Sequence, residues 1–307
     1  MSHFVIGVDV GGTNIKLGMV NLAGRVIARS SFTTKTYSSS KNRFINALVI
    51  NIQDFLSLND INRKNVIGVG IGLPGLIDLK LGIVNALPNI PGWNKYPFQK
   101  VIRQKLHLPV FIENDVNLMT LGEWKYGAGK GVKNLVCITL GTGIGGGLIL
   151  DNEIYRGPGF SAGEIGHMPL NEEGPACVCG GYGCFEQYVG RKYLQKKTEK
   201  IFNKQLEWEE ISAMAKQGNK KAIAIWEETA RHIGNGLTGV VNLLNPARIV
   251  IGGGVSHCPK FVYKIVNEVI KKRAMKLPAS MVKVVKAKLG NDAPFFGAKV
   301  LIEQMNK

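Results

Sequence analysis

The sequence predicts an α/β protein built from two related half-domains. Apolar runs of strand length alternate with stretches of helical periodicity along the whole chain. A strand, a glycine turn and two further strands open the sequence, and the same succession starts again at Asn134. No linker rich in Pro, Gly and Ser separates the repeats, so the boundary is placed near residues 116–120.

In the first half, Phe4–Asp9, Ile15–Val20 and Arg25–Ser31 read as successive antiparallel strands, with residues 21–24 as one of the turns. Phe44, Leu48, Ile52, Phe55 and Leu56 recur at helical spacing, which predicts a helix over Arg43–Leu58 with one face toward a core. Val66–Ile71 and Val110–Ile112 are short buried strands, and the second runs into Glu113-Asn114-Asp115. A helix over Val116–Tyr126 follows.

In the second half, Leu135–Leu140 is a strand, Gly141–Gly147 a glycine turn, Leu148–Leu150 a strand and Ile154-Tyr155 the start of another. Ala222, Ile225, Trp226, Thr229, Ile233, Leu237 and Val240 mark one long helix. A strand at Arg248–Ile251 ends in Gly252-Gly253-Gly254. A helix from Pro259, a strand near Val282–Val285 and a last helix from Pro294 complete the pattern.

Composition narrows the function. With 307 residues and 45% apolar content, the chain has material for two cored domains. No basic segment precedes an apolar core at the start, and no apolar run reaches bilayer-spanning length, so a cytoplasmic protein without a membrane partner is expected. The formal charge of +17 is spread along the chain and is denser only at Arg191–Lys204 and Lys271–Lys288. Neither stretch interleaves the aromatics of a base-stacking platform. A solvated basic surface that attracts anionic nucleotides is expected, with no specific nucleic-acid partner. Three of the five cysteines fall within eight residues, and in a reducing compartment such a cluster reads as metal ligands before disulfides. Cys137 reads as a small core residue, and Cys258, placed after a glycine stretch without a helix, is assigned no role.

The glycine turns point to phosphate. In Asp9-Val10-Gly11-Gly12-Thr13-Asn14, a strand delivers a carboxylate into a turn whose backbone N–H groups can approach an anion. Taken alone, it reads equally well as a hairpin turn with a polar lip. Gly141–Gly147 contains the letters of a dinucleotide fingerprint, but a strand rather than a helix follows it; Gly127-Ala128-Gly129-Lys130 fails as a P-loop because Gly131 follows. Three such turns, each directly after an apolar strand, are more than bends require. On its residues alone, Asp115 reads both as an N-cap for the helix from Val116 and as a general base.

These segments together resemble the ROK sugar kinases, within the superfamily of sugar kinases, heat-shock proteins and actin. The Asp9 turn resembles the first phosphate motif of that superfamily, Gly141–Gly147 the second, and Gly252-Gly253-Gly254 the adenosine motif. Glu113-Asn114-Asp115-Val116-Asn117 resembles the family's catalytic E-N-D-x-N segment. Glu164-Ile165-Gly166-His167 and the run from Cys177 to Glu186 resemble its sugar and zinc signature. The likeness extends from about residue 4 to residue 300.

The resemblance implies two ribonuclease-H-like lobes with the active site in the cleft between them: residues 1–117 with the C-terminal helix 293–307, and residues 118–292 with a zinc loop. It implies ATP-dependent phosphorylation of a hexose at its primary hydroxyl, with glucose as the leading substrate and N-acetylmannosamine or fructose as alternatives. Asp115 would be the general base, and Asp9 would serve Mg²⁺. Gly11, Gly12, Thr13, Asn14, Lys16, Gly141, Thr142, Gly143, Gly253 and Gly254 would line the nucleotide, with Lys16 set further along its strand. Asn89, Asn114, Asp115, Glu164, His167 and Glu186 would meet the sugar. His167, Cys177, Cys179 and Cys184 would hold a structural Zn²⁺ with no open ligand position. A homodimer or larger homo-oligomer is the family's habit. Some members are sugar-responsive regulators with a DNA-binding domain ahead of the first phosphate motif; here Asp9 is reached after eight residues, which favours a kinase.

Overall fold

A computed structural model describes residues 3–88 and 90–306. Asn89, expected to meet the sugar, lies outside the described residues. The chain divides into two compact units: one takes the residues up to Lys130, Arg156–Ser161 and those from Asn291 onward, and the other takes Gly131–Tyr155 and Ala162–Gly290. The division thus falls at Lys130 rather than at residue 117.

The first unit carries β1 (Phe4–Val10), β2 (Asn14–Asn21), β3 (Val26–Thr33), α1 (Lys41–Leu58) and β4 (Val66–Leu73). A hairpin of β5 (Leu76–Asp78) and β6 (Ile83–Ala86) comes next, followed by α2 (Phe98–Leu106), β7 (Val110–Asn114) and α3 (Asp115–Lys125). Its main sheet has the order β3-β2-β1-β4-β7. The first three strands are antiparallel neighbours, whereas β4 and β7 run parallel to β1.

The second unit holds β8 (Leu135–Leu140), β9 (Ile144–Leu150), β10 (Glu153–Tyr155), α4 (Glu186–Val189), α5 (Arg191–Phe202) and α6 (Trp208–Lys216). The long α7 (Lys220–Leu244), β11 (Arg248–Gly252), α8 (Lys260–Arg273), α9 (Lys276–Met281) and β12 (Lys283–Lys286) follow. The sheet order β10-β9-β8-β11-β12 repeats the first unit's order, with the same pattern of antiparallel and parallel pairs. Each sheet is ribonuclease-H-like. The final helix, α10 (Ala293–Met305), packs in the first unit.

Alternation along β1 sets the layers. Phe4, Ile6, Val8 and Val10 share a core with Phe44, Leu48 and Ile52 of α1, while Val5 packs with Ala298 and Ile302 of α10. α3 lies against α10 at close range. A side chain at Gly122 would land on the Ala293 carbonyl, and one at Gly297 on that of Leu118. This tight crossing anchors the helix that begins with Asp115. In the second unit, α7 is capped by Asn219, whose side chain accepts from Ala222 N at 3.1 Å. The face predicted for α7 from its periodicity is the buried one, and Trp226 packs against Trp208 with tilted rings whose centroids are 4.7 Å apart.

Several boundaries move. β7 continues through Glu113 and Asn114 instead of stopping at Ile112. Most of the predicted Gly141–Gly147 turn is strand, since β9 starts at Ile144 and only residues 141–143 turn. The hairpin β5–β6 and helices α2, α5 and α6 had no sequence prediction. In α5 only Leu194 and Thr198 are buried, so its apolar periodicity is too thin to read. A 3₁₀ turn, Gly254–His257, precedes Cys258 where no helix was expected.

Candidate active site

In the first unit, the parallel strands bring acidic residues to one edge of the sheet. Asp9 pairs in register with Gly72 of β4, and Gly72 with Glu113 of β7. The Asp9 carboxylate lies 4.0 Å from Lys16 Nζ, and Lys16 Nζ donates to Asn291 Oδ1 at 2.9 Å. Burial raises the Asp9 pKa above the ordinary carboxylate value, and the nearby Lys16 only partly opposes it. Lys16 is therefore beside Asp9 rather than too far along its strand.

The turn between β1 and β2 is closed by Gly11 N donating to Asn14 O at 3.1 Å. Thr34 holds it from behind: its hydroxyl donates to Gly11 O at 2.8 Å and its N–H to Thr13 O at 2.8 Å. Gly12, Thr13 and Asn14 are exposed, and a side chain at Gly12 would meet nothing within 4 Å. The turn therefore presents an open backbone surface of the kind an anion requires.

At the end of β7, the capping duty falls to Asn114 rather than Asp115. Asn114 Oδ1 accepts from Val116 N at 2.9 Å and from Asn117 N at 3.1 Å. Asp115 is the first residue of α3; it is half-buried, and its Oδ1 accepts from Val116 N at 2.9 Å. Glu113, 1% exposed, points inward.

The second unit gathers its candidates around a different scaffold. The turn Gly141-Thr142-Gly143 is closed by Gly141 N donating to Gly143 O at 3.0 Å, and Arg191 N, at the start of α5, donates to Gly141 O at 3.1 Å. Gly253, at φ +78°, packs so closely on Leu140 that any side chain would strike the Leu140 backbone. The Gly141 turn and Gly253-Gly254 thus stand at the ends of the adjacent parallel strands β8 and β11. A Cβ on Gly143 would sit 2.7 Å from Glu186 Oε2, so this turn and Glu186 are neighbours.

Glu186 in turn touches the cysteine loop, with Cys177 Sγ donating to its Oε1 at 3.4 Å. The ligand atoms of His167, Cys177, Cys179 and Cys184 all lie within 4.8 Å of one another. Cys177 Sγ is 3.6 Å from His167 Nδ1, and Cys179 Sγ is 3.6 Å from Cys184 Sγ. A tetrahedron with Zn–S bonds of about 2.3 Å has edges of about 3.7 Å, so the donor set fits zinc in type, number and spacing. The N–H of Gly181 first, and then the neighbouring thiols, lower the pKa of Cys179, while burial pushes Cys184 up to about 12. Gln187 Nε2 donates to Cys177 Sγ at 3.5 Å, an outer contact that suits a thiolate. With Nδ1 turned to the sulfurs, His167 Nε2 lies 4.0 Å from Glu164 Oε2, and the exposed Glu164 faces outward.

The ROK family model matches residues 5–305. The chain belongs to the ROK family. This ROK chain is 32% identical to the glucokinase of Halalkalibacterium halodurans over 98% of its own length and 96% of that protein. The crystal structure of a ROK family glucokinase from Streptomyces griseus in complex with glucose and AMPPNP superposes with a TM-score of 0.83 at 31% identity, covering 98% of this chain and 99% of that one. The xylose repressor of Caldicellulosiruptor bescii is 29% identical over 97% of this chain and 77% of its own length. The ROK chain has the actin-like ATPase fold. Among its described residues, no helix is long and apolar enough to cross a membrane.

Three contacts of the site had no sequence prediction. Asn291 meets Lys16 from 275 residues away, Thr34 braces the Asp9 turn, and Arg156 Nε donates to Glu113 Oε2 at 2.7 Å. Each pairing is long-range and leaves no local pattern.

Proposed function

We propose that this chain transfers the terminal phosphoryl group of ATP to the primary hydroxyl of a hexose, with glucose as the substrate. One observation carries the reading: Asp9 and the Asn114-Asp115 pair stand at the carboxyl ends of parallel strands, separated by β4 alone. Two interstrand spacings, about 10 Å, give room for a phosphoryl group and an alcohol between a metal-facing carboxylate and a base. Ligands of open α/β sheets bind at such strand ends.

Phosphoryl transfer needs in-line positioning, neutralised charge and removal of the hydroxyl proton. Asp115 takes that proton and Asn114 orients the sugar. In the first unit, Gly12 and Thr13 with Asn14 and Lys16 would meet phosphate, since Gly11 N already donates to Asn14 O. In the second, Gly143 and Thr142 would do so, since Gly141 N already donates to Gly143 O, and Gly253 and Gly254 would lie along the adenosine. Asp9 would hold Mg²⁺, and its half-buried carboxylate, whose pKa desolvation raises, suits a cation that restores the ionised form. When bound, the ion draws charge from the phosphate oxygens. His167, Cys177, Cys179 and Cys184 would hold a zinc ion that fixes the loop, leaving His167 Nε2, Glu164 and Glu186 to grip sugar hydroxyls.

Glucose is preferred because the sequence carries Asn89, Glu164, His167 and Glu186, the residues that the resemblance assigns to the sugar, and because the similar proteins include glucokinases. The test is ADP release with glucose, N-acetylmannosamine and fructose in turn. Turnover of glucose above the others supports the reading, while turnover of another sugar alone replaces the substrate. Sugar binding without ADP release would instead favour the regulator reading that the xylose repressor's similarity raises.

A further inference from the structure

Glu113 has more partners than a surface carboxylate would need. Its Oε1 accepts from Asn114 N at 2.9 Å and from Asn117 Nδ2 at 3.0 Å, and its Oε2 accepts from Arg156 Nε at 2.7 Å. The first two bonds bracket Asp115, one at the strand residue before it and one in the first turn of α3. Arg156 starts the short run Arg156–Ser161, which packs with the first unit although the chain on both sides of it belongs to the second. The Arg156 side chain is 28% exposed, whereas that of Glu113 is 1% exposed, so the guanidinium seals a carboxylate that water scarcely reaches.

We propose that Arg156 is a positioning residue for the phosphoryl transfer, acting through Glu113 on Asp115. The inference rests on the assignment of Asp115 as the general base. A carboxylate held on one oxygen by Arg156 has a single way to direct the other at Asn114 and Asn117. Without the guanidinium, Glu113 must turn or take up water, and both bonds that fix the segment around Asp115 slacken. A purely structural ion pair would affect stability and leave turnover alone. A pair that sets the base affects turnover, because a misplacement of about 1 Å costs on the order of 10²-fold in rate.

The test uses the full chain with Arg156→Met, Arg156→Lys, Glu113→Gln and the Arg156→Met/Glu113→Gln double variant. Arg156→Met is expected to lower kcat by about 10- to 100-fold while both KM values stay within about threefold. Arg156→Lys, whose ammonium reaches the same carboxylate, recovers most of kcat. The double variant is no slower than the slower single, as two residues acting as one unit require. An Arg156→Met kcat within twofold of the unmodified protein, or losses that multiply in the double variant, overturns the proposal. If Arg156→Met does not fold, Arg156→Gln takes its place under the same criteria.

Amide hydrogen exchange supplies a readout independent of turnover. Exchange at Val116 and Asn117 should quicken about tenfold or more in the neutral variant, with β8 unchanged. Unchanged exchange at both amides overturns the positioning role even if the unmodified protein turns over no hexose. Absence of turnover in the unmodified protein would defeat the kinase reading instead.

Discussion

The two units have the same strand order but place their chemistry differently. In the first, the sheet itself carries the acids: Asp9 is the penultimate residue of β1, Glu113 that of β7, and Asp115 opens the helix that follows Asn114. In the second, the equivalent positions are neutral or basic. Thr139 stands in β8 where Asp9 stands in β1, and β12 ends in Lys286. The acids of the second unit that stand beside its candidate site, Glu164 and Glu186, flank a cysteine cluster outside the sheet, Glu186 opening α4. Both units keep an open glycine turn between their first two strands. Amides that suit phosphate are thus common to both, while Asp115, the base proposed for the reaction, belongs to the unit whose strand ends carry the acids. In the second unit, the zinc proposed for the His167 and cysteine cluster would stiffen what its sheet does not supply.

The sharpest way to break this contrast is Asp115→Asn. With Asn114 as the cap, the substitution should leave the melting temperature within a few degrees and lower kcat by roughly 10²-fold or more. ADP release and a thermal melt on the same sample check both halves. Near-normal turnover would remove the reacting group from the first unit's strand end and dissolve the asymmetry.

Next in size is Cys179→Ala, aimed at the loop of the second unit. It should lower zinc content from one ion per chain to a small fraction, read by metal analysis, and raise hexose KM by about 10-fold or more, with KM for ATP changed far less. Equal shifts in both KM values would mean that the loop supports the whole second unit instead of the sugar-facing residues alone.

The contrast was only partly legible in the sequence. The repeated strand and turn pattern gave both sheets, because central strands buried on both faces read as continuous apolar runs, as β1 and β4 do. The cysteine cluster was legible because its spacing is local: a bridge between Ala176 and Tyr182 folds the loop within a few residues. The allotment of roles between Asn114 and Asp115 was not, since both residue types cap helices and only backbone geometry chooses between them. Neither were the Lys16–Asn291 and Arg156–Glu113 contacts, which depend on segments brought together by the fold. The helix α5 escaped because ten of its twelve residues are not buried and leave no apolar stripe.

The smallest expected effect tests whether the first unit's sheet edge is under electrostatic tension. Burial raises the pKa of Asp9, so the folded chain binds that proton more tightly than the unfolded chain does. The Asp9 contribution is therefore most favourable below the ordinary carboxylate pKa and is lost as pH rises through the higher folded value. Asp9→Asn removes that loss. In metal-free protein, the melting temperature of the variant relative to the unmodified chain should climb as pH goes from about 4 to 7 and then level off. Adding Mg²⁺ with ATP should reverse the ranking at pH 7, because only the carboxylate binds the ion. A relative melting temperature that is flat with pH would mean that Lys16 already balances the charge, and the two units would then differ in chemistry without differing in strain.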